Sequence, residues 1–398
     1  MNFNDLFYKD PYLTKCTAAV LSCRPVKKGY AIVLGDTVFY PEGGGQPADR
    51  GVFYIVGEEI AVNDVQRNSS GEIEHFVDVP LDSGSEVSME IDWHHRFSLM
   101  QNHTGEHIVS GLIHGAYGYE NVGFHMSDVI TIDISGELSW KQAMEIERKA
   151  NSVIWKNLPV NITFPESGKL EELDFRSKKE LTGKVRLIDI DGTDLCACCG
   201  LHVKHTGEIG MIKLLSLINY KGGVRIEMVC GEKALLDYEA KLDSNTEIKN
   251  LLSVKPHEVT DAVKHILNES TEKSARISGL CSRYFDMRTA ELISDVSDDG
   301  IIITLEEDLD GIEIRKLCEK LKNSDKADVY IVLRPLPSEE ESFQYVIASR
   351  QLDLKEKAPS LNKALRGKGG GSKEMIQGTF FTSYDEICKV IRNVFTAQ

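Results

Sequence analysis

The sequence predicts an α+β fold in more than one domain, on three observations. The chain has 398 residues, too many for one ordinary hydrophobic core. Its hydropathy alternates with a period of two near the N-terminus, turns helical after about residue 94, and then mixes the two. Its composition, 41% hydrophobic and 27% charged, is that of a soluble globular protein.

From residue 13 to about 90, short apolar runs alternate with turn residues: TAAVLSC, YAIVLGDTVFY, GVFYIV, EIAVNDV, EHFVDV and EVSMEI. Strands at this spacing predict a small β-barrel or sandwich. From His94 the apolar positions Phe97, Met100, Ile108 and Leu112 follow a helical rhythm. A second helix (SWKQAMEIERKANSVIWKN) and four strands (NITFPES, KVRLIDI, GMIKLLSLINY, GVRIEMV) complete an α+β body. Residues 232–295 read as mostly helical. There Val263/Ile266, Ile277/Leu280 and Tyr284/Met287 keep a seven-residue rhythm, broken by Ser270 and Lys273. Such a seam suits a helical hairpin or a dimer contact. The last hundred or so residues return to strand and helix, an α/β pattern. The expected domains are 1–90, 91–231 and 232–398.

The formal charge of −16 argues against nonspecific coating of nucleic acid, although local charge decides RNA binding. One basic island stands out, with Arg350, Lys355, Lys357, Lys363, Arg366, Lys368 and Lys373 against Asp353 and Glu356. No stretch of 18 apolar residues exists, so no membrane span is expected. The N-terminus lacks a basic-then-apolar signal pattern, and the chain reads as cytoplasmic. Nine cysteines, three of them crowded at Cys196, Cys198 and Cys199, suggest metal ligation in a reducing compartment.

Three local patterns carry chemistry. His103-Thr104-Gly105-Glu106-His107 places two imidazoles at i and i+4, on one face of a helix, where both can reach one ion. Cys198-Cys199-Gly200-Leu201-His202 offers thiolate and imidazole across a turn, ligands that zinc prefers. Together the pairs supply a complete tetrahedral set, with Cys196 and Cys199 as competing thiols. The third pattern, YPEGGGQPADRG over 40–51, has three glycines that admit another backbone or a ligand, and Gln46 adds an amide donor and acceptor. Asp92-Trp93-His94-His95 superficially resembles a DHH phosphoesterase signature, but the tryptophan breaks it.

The ordered set YPEGGGQPADRG, MQNHTGEHIVSG, CCGLH, HTGEIG and GVRIEMVCG resembles the editing domain of alanyl-tRNA synthetase, and most of all its free-standing AlaX-type relatives. The tail GKGGGSKEMIQGTF resembles the glycine-rich signature of the DHHA1 domain carried by the longer AlaX proteins. The resemblance implies a zinc-dependent editing domain over 91–231 and a helical linker plus DHHA1-like tRNA-binding and dimerisation domain over 232–398. It implies zinc held by His103, His107, Cys198 and His202, and a 3′-end site beside Gly43, Gly44, Gly45 and Gln46. Thr104 and Gln46 are the candidates for holding water or substrate, and Arg366, Lys368, Gly369, Gly370 and Gly371 for touching RNA. The implied function is hydrolysis of mischarged tRNA(Ala), carrying serine or else glycine, by a homodimer joined through its C-terminal region. A noncatalytic zinc-stabilised tRNA-binding module and a phosphoesterase are the alternatives. Leu201 stands where the family usually has threonine, which puts activity level or substrate preference in question.

Overall fold

The computed structural model describes residues 3–170, 172–177, 184–337 and 341–396. It divides into two compact units, Met1–Ile248 and Lys249–Gln398.

The first unit opens with a single helical turn, α1 (Leu6–Lys9), and seven strands: β1 (Lys15–Pro25), β2 (Tyr30–Leu34), β3 (Gly51–Ile55), β4 (Glu58–Val62), β5 (Asp64–Arg67), β6 (Ile73–Val77) and β7 (Glu86–Ile91). They form one antiparallel sheet in the order β4-β3-β7-β1-β2-β6-β5. Its two edge strands are separated in sequence by Asn63 alone, so the sheet must curl until its edges nearly meet. The Asn63 N–H, donating to Phe76 O on β6 at 2.8 Å, marks that near closure. The period-two reading holds along β7, where Val87, Met89 and Ile91 point inward and Glu86, Ser88 and Glu90 do not. The strand expected through Tyr40 stops at Leu34. Beyond it, Thr37 Oγ1 accepts from Phe39 N–H (3.0 Å) and Asp49 Oδ2 accepts from Tyr40 N–H (2.6 Å), so side chains take the backbone donors that a ladder would use.

The rest of the unit is built on α2 (Trp93–Tyr117), capped by Asp92 and ended by Gly118 in a left-handed conformation. Then come β8 (Asn121–Met126), β9 (Ile130–Ile134), α3 (Trp140–Lys156), β10 (Val160–Thr163), α4 (Ser167–Leu170), β11 (Leu187–Ile190), β12 (Asp194–Ala197), β13 (Ile212–Tyr220) and β14 (Gly223–Cys230). An antiparallel sheet β13-β14-β9-β8 shares one apolar core with α2 and α3, and β10-β11-β12 form a smaller sheet. Every residue from Asn102 to Gly111 on α2 is buried. Its polar side chains must therefore be satisfied internally, as Glu106 is by Ser110 and Asn121.

Helix α5 (Glu232–Leu252) contains the division between the units. In the second unit α6 (Val259–Ser294) precedes β15 (Ile301–Leu305), α7 (Gly311–Ser324), β16 (Val329–Pro335), β17 (Phe343–Ala348), α8 (Leu354–Ala364), β18 (Lys368–Gly371), β19 (Met375–Phe380) and α9 (Tyr384–Thr396). The sheet order is β15-β16-β17-β19-β18, with β15 and β16 parallel and joined through α7. Both faces are covered. Val329, Ile331 and Leu333 pack towards α8 and α9, Tyr330 and Val332 towards α6 and α7, which is why this strand reads as unbroken apolar sequence. The seven-residue seam lies along α6 alone and is exposed, so its two halves do not fold back as a hairpin. Ser270 and Lys273 leave the helix continuous, Lys273 pairing with Glu269 at 2.9 Å. No helix among the described residues is long and apolar enough to cross a membrane.

Candidate active site

Helix α2 and the segment after β12 bring His103, His107, Cys198 and His202 together, with ligand atoms all within 4.8 Å of one another. The three imidazoles are almost completely buried, and each has its Nδ1 occupied. Gln46 Oε1 accepts from the Leu201 N–H at 2.9 Å, which fixes it as the oxygen, and lies 3.0 Å from His103 Nδ1. His103 must then carry its proton on Nδ1. His107 Nδ1 donates to Asp194 Oδ2 (2.9 Å), and Arg176 holds that carboxylate at 2.7 and 2.9 Å. Thr104 Oγ1 donates to Met100 O (2.8 Å), so it accepts from His202 Nδ1 at 3.2 Å. In its neutral form each ring thus has its Nε2 lone pair directed inward. That of His103 faces Cys198 Sγ at 3.4 Å, and that of His202 is buried with no good hydrogen bond among the described residues. Outer partners that fix the tautomer while leaving an inward lone pair are the mark of metal-binding histidines.

The electrostatics treat the four groups differently. Burial alone would raise the Cys198 thiol, but the charges and hydrogen bonds of His103 and His107 outweigh it and hold the group well below the ordinary thiol range. Burial pushes His202 down to about 3, so it stays neutral. For His107, burial works downward but Cys198, Cys196 and Asp194 outweigh it and hold the imidazole high. Three neutralisable imidazoles and one thiolate-forming cysteine are a donor set that fits Zn²⁺. Cys196 falls in a different group, with His107 and Asp194, and burial raises its thiol to about 11. The Cys199 carbonyl accepts from Tyr8 (2.9 Å) and Tyr40 (3.2 Å) hydroxyls. Gly200 has no room for a side chain: a Cβ there would lie 1.9 Å from His103 Cε1. Leu201 points into the apolar core and serves the site through its backbone N–H to Gln46.

The glycine loop borders this cluster. Gly43 and Gln46 exchange backbone hydrogen bonds at 3.0 Å around Gly44 (φ +61°) and Gly45 (φ +82°), a two-residue turn with both central residues left-handed. Gly44 lies against Gly200, and Gly45 against Phe124, whose ring stacks on His103. The loop is tied to α2 by a fully buried ion pair. Arg96 Nε donates to Asp49 at 2.8 and 2.9 Å, and its Nη atoms donate to Pro11 O and Val38 O. Gln46 is completely buried, yet its Nε2 has no partner among the described residues.

Not every expected residue meets the site in the expected way. Thr104, nominated to hold water or substrate, commits its hydroxyl to Met100, His202 and Val203 and lies fully buried. Arg366 and Lys368 are exposed, on and beside edge strand β18. Gly369 packs so closely on Tyr345 that a Cβ would lie 2.5 Å from its hydroxyl, whereas Gly370 faces open space. Asp92 caps α2, His94 pairs with Glu232 and His95 reaches Ala48 O, so no metal-type group forms there among the described residues. Sequence reasoning missed Asp194, Arg176 and Arg186. The last donates from Nη1 to Cys198 O and Gly200 O, both at 2.9 Å, bracing the turn that carries Cys198. An acid four residues before Cys198 was the available signal for Asp194, because metal-bound histidines usually donate to a carboxylate.

The segments that build the barrel and the His/Cys cluster match family models named for tRNA synthetases. A family model described as class II tRNA synthetases (A) matches residues 13–95, and one described as the threonyl and alanyl tRNA synthetase second additional domain matches 185–227. The first covers the barrel and its glycine loop, the second Cys198 and His202. Alanyl-tRNA editing protein AlaX-L of Pyrococcus horikoshii is 29% identical over 97% of this chain and 96% of its own. Alanyl-tRNA editing protein Aarsd1-A of Xenopus laevis is 28% identical over 93% and 92%. Alanine–tRNA ligase of Pyrococcus abyssi is 30% identical over 94% of this chain, which spans 41% of that enzyme. The chain is similar to alanyl-tRNA editing proteins over nearly its whole length.

Proposed function

We propose that the chain is a trans-editing hydrolase that removes a wrongly attached amino acid from tRNA(Ala), serine first and glycine second. The observation that carries this reading is the convergence of three inward imidazole lone pairs and a stabilised thiolate beside the unpartnered amide of Gln46. His103, His107, Cys198 and His202 hold one Zn²⁺, which supplies Lewis-acid chemistry at the ester when bound. In the reaction, water adds to the ester carbonyl carbon and the bond to the ribose oxygen breaks, releasing a free amino acid and tRNA.

The chain's own residues prepare that step. Gln46 orients His103 through Oε1 and offers its free N–H₂ to water or substrate, while the turn at Gly43, Gly44 and Gly45 lets a ribose-linked ester approach closely. Thr104 acts through His202 as a positioning residue. Residues 1–90 and 91–231 carry the site, and 232–398 form a DHHA1-like tRNA-binding and dimerisation domain, the exposed α6 seam serving the dimer. There Arg366, Lys368 and Gly369–Gly371 contact RNA. Lys355, Lys357, Lys363, Arg366 and Lys368 have no ion-pair partner among the described residues, which supports that reading. A cytoplasmic setting suits reduced cysteines.

The test is hydrolysis of Ser-tRNA(Ala) against Ala-tRNA(Ala), with and without chelator. A site that hydrogen-bonds the serine hydroxyl should prefer serine by roughly a hundredfold or more. Equal rates would overturn editing, since such an enzyme would destroy the correct product. Intact ester in both cases would leave a binding module. Arg366→Glu with Lys368→Glu should flatten the salt dependence of tRNA binding by about two units of log–log slope.

A further inference from the structure

We propose that the outer face of α3 is an RNA-docking surface for a base-paired stem with adjoining unpaired bases, the acceptor end of the substrate tRNA; this rests on the editing function proposed above. One side of the helix, with Ala143, Ile146, Ala150, Val153 and Ile154, is sealed in the core. The opposite side carries Lys141, Arg148, Lys149 and Lys156, all exposed, with Trp155 at 77% exposure and Trp140 at 45%. None of the four cations has an ion-pair partner among the described residues. Of the two acids on the helix, Glu147 is buried and bonded to Lys213 (2.6 Å) and the Leu214 N–H (2.8 Å), leaving Glu145 alone on the outer side.

On a chain of net charge −16, the outer side of α3 carries four exposed cations against the single half-buried Glu145, a local excess of positive charge. Charge complementarity therefore selects a polyanion. Lys141, Arg148 and Trp155 recur at seven-residue intervals and so form one row about 21 Å long, enough to follow several successive phosphates. Exposed indoles interleaved with cations offer flat faces to unpaired bases. An anionic membrane would need an apolar helix face free to insert, and the apolar face of α3 is already buried. The surface is also joined to the ligand segment. Thr206, four residues after His202, donates to Val153 O at 2.9 Å, and Asn157 Oδ1 accepts from the Gly207 N–H at 3.2 Å.

The experiment measures the affinity of the full chain for tRNA(Ala) across a salt series, using Lys141→Gln/Arg148→Gln/Lys149→Gln/Lys156→Gln and, separately, Trp155→Ala. Glutamine keeps helix propensity, and bound zinc with unchanged circular dichroism checks the fold. The quadruple variant should bind at least about tenfold more weakly near 0.1 M salt, with a log–log slope shallower by about three units. Its kcat at saturating Ser-tRNA(Ala) should stay within about twofold of wild type. Trp155→Ala should weaken binding with the slope unchanged. Wild-type affinity and slope in the quadruple variant would overturn the proposal, as would these residues mediating attachment to phosphatidylserine vesicles and not to tRNA. If the single variant Arg148→Gln is needed because the quadruple loses zinc, a slope change of about one unit supports the surface and none refutes it. The two readings fail separately. A wild type that edits while the variant binds normally sinks only the docking surface; one that binds tRNA through α3 without hydrolysing any ester sinks only the editing.

Discussion

The barrel and the His/Cys cluster each bury histidine almost completely, but they treat the ring differently. In the barrel, His75 Nδ1 donates to Ile32 O (3.1 Å) and Nε2 meets Thr37 Oγ1 (2.8 Å), so both nitrogens are satisfied by protein. In the cluster, His202 has the same kind of threonine partner on one nitrogen, while its Nε2 faces the Cys198 side and has no good hydrogen bond among the described residues. Burial pushes both below the usual histidine value, His75 to about 4 and His202 to about 3. Burial and pKa therefore do not distinguish a structural histidine from a ligand. The uncompensated inward lone pair does, because an unmade hydrogen bond in the interior is costly unless something else fills it.

The sharpest way to break this contrast is to remove a ligand. Cys198→Ala or His107→Ala should reduce bound zinc from about one per chain to near none and slow deacylation on the order of a thousandfold. Elemental analysis and a single-turnover assay read the two effects. Full zinc retention in Cys198→Ala would move the thiolate to Cys196 or Cys199.

Next in size is the acid response of the barrel. His75 stays neutral when folded down to about pH 4, whereas in the unfolded chain it takes a proton near 6.5. Its contribution is thus fully present above pH 6.5 and is lost as the pH falls towards 4, by about 3 kcal/mol in all. Urea unfolding at several pH values should show this slope in the wild type, and it should shrink in His75→Gln, with zinc content unchanged. An equal slope in the variant would assign the acid response elsewhere.

Smaller effects belong to the outer partners. Asp194→Asn and Gln46→Ala each remove the group that orients a ligand ring, and each should weaken zinc about 10–100-fold in competition with a chelator. Gln46→Ala should also lower kcat at saturating zinc, because its free amide N–H₂ goes with it; Asp194→Asn should not to the same degree.

How much of this was readable from sequence follows from where side chains point. His103 and His107 stand out because helical spacing puts them on one face, and the barrel strands because alternation survives wherever one face meets the core. The middle of α2 hides its role, being buried all round, so no polar face marks it off. Asp194, Arg176 and Arg186 reach the site only through strand pairing and a turn, long-range relations that no local spacing encodes. Strand β18 is three-quarters glycine and has no alternating side chains to announce it. The α6 seam showed its periodicity, but a heptad does not say whether its partner is the same chain or another.

The finest cut at the contrast exchanges the two threonines for valine, a change close in shape that deletes one hydroxyl. Thr37→Val leaves His75 Nε2 buried and unpaired, and also removes the acceptor for the Phe39 N–H (3.0 Å). The barrel should lose about 1–3 kcal/mol of stability, and zinc affinity should not change. Thr104→Val deletes the acceptor for His202 Nδ1 and for the Val203 N–H (3.2 Å). With zinc bound, His202 would still be held from its inward side, so the ring would be misoriented more than released. Zinc affinity should fall about tenfold, at the low end of outer-partner effects. The serine-over-alanine preference should survive, because the Thr104 hydroxyl is already committed to protein groups. Chelator competition and paired deacylation rates measure both quantities. A variant that keeps zinc at wild-type affinity but hydrolyses Ala-tRNA(Ala) as fast as Ser-tRNA(Ala) would return Thr104 to the substrate and show that its hydroxyl turns from His202 when the ester binds.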